Sequence, residues 1–205
     1  MLNELTADND WDKFDPSWLS IITFNYDRSL EFFLSNSLQS RYGKSKADVD
    51  KKLTGLKIHH VYGDLGVDIF DQLSYGQTQL DSALLLPAIE YAIKQIKIIE
   101  DDRAADEYLS TIQQNLREAD RIGFLGFGFD QINVSRLNAA STFAIESPPK
   151  RIAATTIGMK DAEIIRIKRW LFGKENHLSA SNAKFHDIKC RALLRETLLL
   201  DPSYY

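Results

Sequence analysis

The stretch DEYLSTIQQNLREADRIGFLGFGFD, residues 106–130, decides the fold class because it joins three patterns that are typical of α/β proteins. Apolar residues recur at helical spacing over residues 106–120, which predicts an amphipathic helix. The short apolar run over residues 121–125 predicts a buried strand. A glycine-rich turn follows at once over residues 126–130. Helix, strand and turn therefore succeed one another within 25 residues.

The same alternation continues along the rest of the chain. Further strands are predicted over residues 19–24, 57–62, 97–100 and 151–156, the last being the final strand that the pattern indicates. Further helices are predicted over residues 27–42, 46–53, 81–94, 161–172 and 189–200. Parallel strands need long crossovers, and helices are the usual ones. We therefore predict an α/β fold with a mostly parallel sheet flanked by helices, built as one domain over residues 1–205.

The composition is that of a folded protein and excludes several classes of function. The chain has 25 basic and 29 acidic residues, so its net charge of -4 gives no strong nucleic-acid signature. Cys190 is the single cysteine, which excludes an intramolecular disulfide and zinc sites made of paired cysteines, and predicts a cytoplasmic location. The acidic N-terminus is unlike a signal peptide, and no membrane segment is predicted because no apolar run approaches ~20 residues.

Three polar or glycine-rich segments fall where parallel sheets bind ligands, at the carboxyl ends of predicted strands. The first is Asn25-Tyr26-Asp27, the second is Tyr62-Gly63-Asp64, and the third runs from Gly126 to Asp130. Glycine lets backbone N–H groups approach a phosphate or a ribose closely, and a following helix N-terminus favours an anion. These segments are the candidate ligand contacts.

Each candidate also has a purely structural interpretation. Asn25 and Asp27 are residue types that cap helix N-termini. Gly126 and Gly128 are typical of a tight strand exit. In the pair His59-His60, one side chain of a strand points inward and the other outward.

Taken together, the three segments resemble one family. TFNYD, residues 23–27, resembles the Thr-Gln-Asn-x-Asp motif of the sirtuins, and more closely the Thr-x-Asn-Tyr-Asp form of a bacterial sirtuin-like branch of NAD-consuming anti-phage defence proteins. IHHVYGDLG, residues 58–66, is similar to the strand-plus-glycine segment of that branch. ADRIGFLGFGFDQIN, residues 119–133, is similar to its later strand and Gly-rich turn. The motifs keep the family's order, and the resemblance extends over about residues 18 to 200.

The resemblance implies a Rossmann-like fold and NAD, or an ADP-ribose-type nucleotide, as substrate or ligand. It implies that Asn25 holds the nicotinamide ribose or the attacking water, and that Asp27 supports the nicotinamide end of the pocket. The activity implied is hydrolysis of NAD to nicotinamide and ADP-ribose. The cofactor contacts implied are Thr23, Phe24, Asn25, Gly63, Gly126, Phe127, Gly128, Phe129 and Asp130.

Two departures from the family pattern bear on activity. The family opens with a strand and a Gly-rich loop that cradles the NAD phosphates, whereas no glycine precedes Gly43. We therefore expect an N-terminally incomplete domain, either a fragment of a longer protein or a shortened relative that cannot hold the pyrophosphate in the family's way. Tyr62 stands at the position of the family's catalytic His, and a phenol with an ordinary pKa near 10 is a poor base at neutral pH. His60, on the same strand face, could take that role. The predicted catalytic set is therefore Asn25, Asp27, His60 and Tyr62.

These departures leave a second function open, a non-catalytic module that senses a nucleotide or binds a partner protein or another copy of the chain.

Two further candidate sites come from spacing alone. His186 and Cys190 are four residues apart and could share a helix face, and the acidic run at residues 100–102 could bind an adenosine ribose.

Overall fold

The computed structural model describes residues 10–64, 90, 105–143, 150–173, 182–197 and 199–200. The chain divides into two compact units, one within Thr6–Asp106 and the other within Glu107–Tyr205, here called the N-terminal unit and the C-terminal unit. A single domain over residues 1–205 stays a prediction.

The N-terminal unit is a parallel strand pair joined by a helical crossover. Strand β1 (Ser20–Thr23) leads into helix α1 (Ser29–Tyr42), helix α2 (Lys46–Leu53) and strand β2 (Lys57–His60). β1 and β2 pair in parallel, with Thr23 beside His60 at the end of the ladder. The two strand ends therefore lie next to each other.

Local sequence signals explain where the helices of this unit begin and end. Gly43 ends α1 in the left-handed conformation (φ 60°), which glycine adopts without steric cost. The Ser45 hydroxyl accepts a hydrogen bond from the Asp48 N–H and so caps α2. Leu34 and Leu38 of α1 are fully buried, as the helical spacing predicts.

The C-terminal unit is a three-stranded parallel sheet with helices between and after its strands. The sheet order is β3-β4-β5. In chain order the elements are α3 (Ala105–Glu118), β3 (Arg121–Phe124), α4 (Gln131–Arg136), α5 (Ala139–Thr142), β4 (Arg151–Thr155), α6 (Asp161–Phe172), β5 (Ala183–His186) and α7 (Cys190–Thr197). α7 packs on β4, and α4 and α5 pack on α6.

Parallel strands with helical connections confirm the α/β class, and the predicted elements that fall within the described residues are present. The prediction that 151–156 is the last strand was wrong, because β5 (Ala183–His186) follows it. Its sequence, AKFH, lacks the β-branched residues on which strand prediction relies. The short helices α4 and α5 were also not predicted. The predicted helix over 81–94, apart from Glu90, and the strand over 97–100 lie outside the described residues.

Among the helices in the described part of the chain, none combines the length and the apolar character that crossing a bilayer requires.

Candidate functional site

The carboxyl ends of β1 and β2 bring the first two predicted segments together. The Val61 N–H donates to the Thr23 carbonyl at 2.9 Å, one step beyond the paired strands. The Gly63 N–H then donates to the His60 carbonyl at 3.0 Å and closes a turn. Gly63 has φ 79°, a conformation that favours glycine. The Asn25 and Tyr62 segments therefore form one edge of the N-terminal unit.

Asn25 combines a held backbone with an exposed side chain. Its N–H donates to the Thr23 hydroxyl at 3.1 Å, and its carbonyl oxygen lies 2.8 Å from His60 Nδ1. The residue is exposed to solvent. The backbone of Asn25 is therefore held in place while the residue stays open to solvent.

The prediction that Asp27 is the N-cap of α1 was wrong, because Arg28 holds that position and Asp27 lies one residue before it. Its Oδ1 accepts from the Ser29 N–H at 3.0 Å and from the Ser29 hydroxyl, at the start of α1. These hydrogen bonds, together with the nearby positive charge of His60, lower the pKa of Asp27. The carboxylate is therefore ionised at neutral pH, and it lies beside the first residue of α1, where negative charge is favourable.

His60 is buried, and both of its ring nitrogens face acceptors. Nδ1 lies 2.8 Å from the Asn25 carbonyl oxygen, and Nε2 lies 3.0 Å from Glu31 Oε1. Burial acts to lower the pKa of His60, but the hydrogen bonds to Glu31 and to the Asn25 carbonyl raise it above its ordinary value. The imidazolium form donates from both nitrogens and satisfies both acceptors.

Glu31 completes this arrangement from the first turn of α1. Burial acts to raise its pKa, but hydrogen bonds from His60 and from Arg28 Nε, the latter at 2.9 Å, lower the pKa from 4.5 to about 2. Both donors bind Oε1, whereas Oε2 is buried without a hydrogen-bond partner among the described residues. We refer to Arg28, Glu31, His60 and the Asn25 carbonyl as the His60 network.

Glu31 was not among the site residues predicted from the sequence. The signal that could have found it is a glutamate one helical turn after Asp27 and three residues after Arg28, which places it on the same side of α1 as the candidate loop. Its partner His60 is distant in sequence, so only the parallel pairing of β1 with β2 brings the two together.

The catalytic roles of His60 and Tyr62 stay predictions, and the structure shows their surroundings. His60 would have to give up one of its two hydrogen bonds before it could accept a proton. Tyr62 is buried against Phe24, with ring centroids 5.8 Å apart at 71°, and against the exposed ring of Tyr26 at 6.0 Å. The aromatic group beside Asn25 offers an apolar surface on which a flat ring could stack.

The third predicted segment forms the carboxyl edge of the C-terminal sheet. Gly126 and Gly128 have φ values of 63° and 66°, and the Gly126 N–H donates to the Thr155 hydroxyl at 2.8 Å. Phe129 also has a positive φ, 56°, which is uncommon for a residue with a side chain. It is buried, and its ring lies 5.3 Å from the Phe124 ring.

The residues beside this turn have structural roles as well. Asp130 caps α4 by accepting from the N–H groups of Ile132 at 2.9 Å and Asn133 at 3.4 Å. Phe127 packs on Phe124 and Phe129 at ring distances of 5.4 and 5.1 Å. These contacts agree with the tight strand exit expected on structural grounds, and contact with a nucleotide stays a prediction.

The pairing of His186 with Cys190 on one helix face was wrong. His186 is the last residue of β5, whereas Cys190 begins α7. A shared face would need one continuous helix over both residues, whereas the unpredicted strand β5 ends at His186. No group of three metal-ligating side chains occurs within the described ranges. The acidic run at 100–102 lies outside them.

The edge formed by Asn25 and Tyr62 can therefore offer three kinds of contact to a ligand: an exposed amide, an ionised carboxylate and an exposed aromatic ring. These groups suit a molecule that carries hydroxyl groups, a flat ring and developing positive charge. Comparison with known proteins adds no family, because no protein-family model, curated protein or solved structure matches this chain.

Proposed function

We propose that this chain is a sirtuin-like NAD-binding protein that hydrolyses NAD to nicotinamide and ADP-ribose in the bacterial cytoplasm, in anti-phage defence. The observation that carries the proposal is the placement of Asn25. Its side chain is exposed at the carboxyl edge of a parallel strand pair, and its backbone is held from both sides by Thr23 and His60. The neighbouring Asp27 supplies a carboxylate that is ionised at neutral pH.

The chemistry of NAD cleavage suits such a site. When the bond between the nicotinamide nitrogen and ribose C1′ breaks, the electron pair leaves with nicotinamide, which departs as a neutral molecule. Positive charge develops on the ribose, and a carboxylate and an amide dipole stabilise it. Water then adds to C1′ and releases one proton.

This reaction does not require a strong base in the bond-breaking step. Nicotinamide leaves without being protonated, and water adds readily to a carbon that carries so much positive charge. The engagement of both nitrogens of His60 is therefore compatible with turnover. In this mechanism Asn25 binds the ribose or orients the water, Asp27 stabilises the developing charge, and His60 positions Asn25.

A second candidate, a module that binds the nucleotide without cleaving it, is supported by a separate observation. Tyr62 is buried against aromatic rings, and His60 is occupied by Glu31 and the Asn25 carbonyl. A site of this kind could hold an NAD-type ligand and report its presence to a partner protein.

The experiment that separates the two candidates measures binding and turnover on the same samples. Purified protein is incubated with NAD, nicotinamide release is followed by chromatography, and NAD binding is measured by calorimetry. We expect Asn25→Ala to abolish nicotinamide release. The matched control Asn36→Ala removes an exposed amide of α1 that donates to the Phe32 carbonyl, and should keep the activity.

The outcomes are distinct. Turnover that is lost in Asn25→Ala and kept in Asn36→Ala supports the hydrolase. Binding without turnover in the unaltered protein supports the sensing module. Absence of both would refute the two candidates together.

A further inference from the structure

A single side chain holds the loop after β1 to the end of β2. Nδ1 of His60 lies 2.8 Å from the carbonyl oxygen of Asn25, in the loop of residues 24–27, here called the Asn25 loop. The other printed backbone contact of Asn25 is local, since its N–H donates to the Thr23 hydroxyl two residues earlier. The position of the Asn25 carbonyl relative to β2 therefore depends on the hydrogen bond from His60.

Both atoms that face the ring of His60 are hydrogen-bond acceptors. Asn25 presents a carbonyl oxygen at 2.8 Å from Nδ1, and Glu31 presents Oε1 at 3.0 Å from Nε2. The imidazolium ring carries a proton on each nitrogen, whereas the neutral ring has one N–H and one lone pair. The neutral ring can therefore satisfy only one of the two acceptors, and it turns a lone pair towards the other.

Charge decides which of the two hydrogen bonds survives loss of the proton. Burial acts to raise the pKa of Glu31, but hydrogen bonds from His60 and Arg28 lower it to about 2, so Glu31 is an anion where a histidine titrates. A hydrogen bond to an ionised acceptor is roughly twice as strong as one between neutral groups. The neutral ring therefore keeps its proton on Nε2, and the lone pair of Nδ1 repels the Asn25 oxygen.

The charged groups around His60 favour its protonated form. Burial acts to lower the pKa of His60, but the hydrogen bonds to Glu31 and to the Asn25 carbonyl and the charges of Glu31 and Asp64 raise it above 6.5. The cations Arg28 and Lys46 are paired with Glu31 and Asp50 at 2.9 and 2.8 Å. Within the described ranges, the titratable and charged groups around the ring are Arg28 and Glu31 on α1, Lys46 and Asp50 on α2, Asp27 after β1, His59 on β2 and Asp64 after β2.

We propose that His60 is a pH-sensitive switch, which holds the Asn25 loop when its ring is protonated and releases the loop when the ring loses a proton. Glu31 is a positioning residue of this switch, because it fixes which nitrogen keeps the remaining proton. After release the Asn25 carbonyl is no longer held to β2, so NAD hydrolysis should be fast below the transition and slow above it. That effect on hydrolysis rests on the proposed function, whereas the movement of the loop does not.

The test follows two NMR signals of the full chain, labelled with ¹³C and ¹⁵N, between pH 5.5 and pH 9.5. One signal is the ring nitrogens of His60, and the other is the carbonyl carbon of Asn25, whose chemical shift reports its hydrogen bond. We expect both to change with one midpoint, above pH 6.5. Nicotinamide release over the same range should fall at least ~10-fold across that midpoint, the loss expected for one hydrogen bond from a charged donor.

Two variants connect the transition to the network. Glu31→Gln should move both midpoints to lower pH by about 1 unit or more, because it removes the charge that stabilises the imidazolium ring. His59→Gln is the matched control and should leave the midpoints unchanged. Burial and the charges of Lys57 and His60 lower the pKa of His59, so this residue is already neutral when His60 loses its proton.

Two results would overturn the switch: an Asn25 carbonyl signal that stays constant while the ring titrates, or midpoints that Glu31→Gln does not move. Nicotinamide release that continues at one rate across the midpoint would overturn its control of the reaction. The titration of the unaltered chain needs neither a variant nor NAD, so it tests the switch even if Glu31→Gln fails to fold. Absence of nicotinamide release at every pH refutes NAD hydrolysis alone, so the two failures are distinguishable.

Discussion

The substitution Glu31→Gln tests the His60 network because it removes one charge and keeps nearly the same shape. The native structure lowers the pKa of Glu31 from 4.5 to about 2. A shift of this size corresponds to about 3.4 kcal/mol, since one pKa unit is 1.36 kcal/mol. The carboxyl is partly open to solvent, with 19% of the side chain exposed, and solvent screens such pairs. We therefore expect the substitution to lower the free energy of unfolding by about 1–3 kcal/mol near pH 5.5.

The sign of the pH dependence follows from the direction of each shift. Glu31 has a lowered pKa in the folded state, so its contribution is present above pH 4.5 and is lost as the pH falls towards about 2. His60 has a raised pKa, so its contribution is present below its ordinary value of 6.5 and is lost as the pH rises through the folded-state value. The difference between the wild type and Glu31→Gln should be largest between these limits and shrink on both sides.

The assay is urea unfolding followed by circular dichroism between pH 3 and pH 8. The control Glu196→Gln makes the same chemical change at an exposed residue of α7, and should shift the free energy of unfolding by no more than about 0.5 kcal/mol. Equal stability of the wild type and Glu31→Gln at pH 5.5 would refute the reasoning. A difference that stayed constant down to pH 3 would do the same, because it could not arise from the carboxylate.

Three further predictions concern single residues. In histidine NMR spectra, His60 should lose its ring proton at a higher pH than His59, whose pKa is lowered by burial and by the charges of Lys57 and His60; the reverse order would contradict the network. Gly126→Ala should lower the free energy of unfolding by about 1–2 kcal/mol because its φ is 63°, whereas Gly55→Ala, at a glycine without a positive φ, should cost less; thermal unfolding compares them. Lys150→Met should cost about 1.5–3 kcal/mol in urea unfolding, because the buried ammonium donates to two carbonyls at the end of α3, each at 2.7 Å.

Elements with strong local signals could be predicted from the sequence. The helix α2 was predicted at its observed bounds, and the structure shows Ser45 as its cap and Val49 buried beneath it. Strand β5 could not be predicted from the sequence, since its four residues show no β-branched pattern and its position depends on pairing with β4. The division into two compact units also has no local signal, because it depends on which elements pack together.

In the candidate site, too, local sequence patterns predict individual residues but not the contacts between residues that are distant in sequence. Asn25 and Asp27 could be selected because polar residues directly after a strand mark a ligand edge in parallel sheets. The partners of His60 could not be predicted, because its contacts with Asn25 and Glu31 span 35 and 29 residues of sequence. Alternation along β2 indicates which way the ring points, but not what it meets there.

The charge balance around Asn25 connects the fold to the proposed reaction. A protonated His60 alone would oppose the positive charge that develops on the ribose during NAD cleavage. Glu31, whose Oε1 lies 3.0 Å from His60 Nε2, offsets the positive charge of His60. Asp27, which is ionised, offsets the charge of Arg28, so the formal charges of these four side chains sum to zero. With Asp27 beside it, the His60 network can therefore hold the Asn25 backbone by charged hydrogen bonds without leaving net positive charge at the site. Glu31→Gln would restore that net charge, so nicotinamide release should slow more than NAD binding weakens, whereas a purely structural loss would reduce both together.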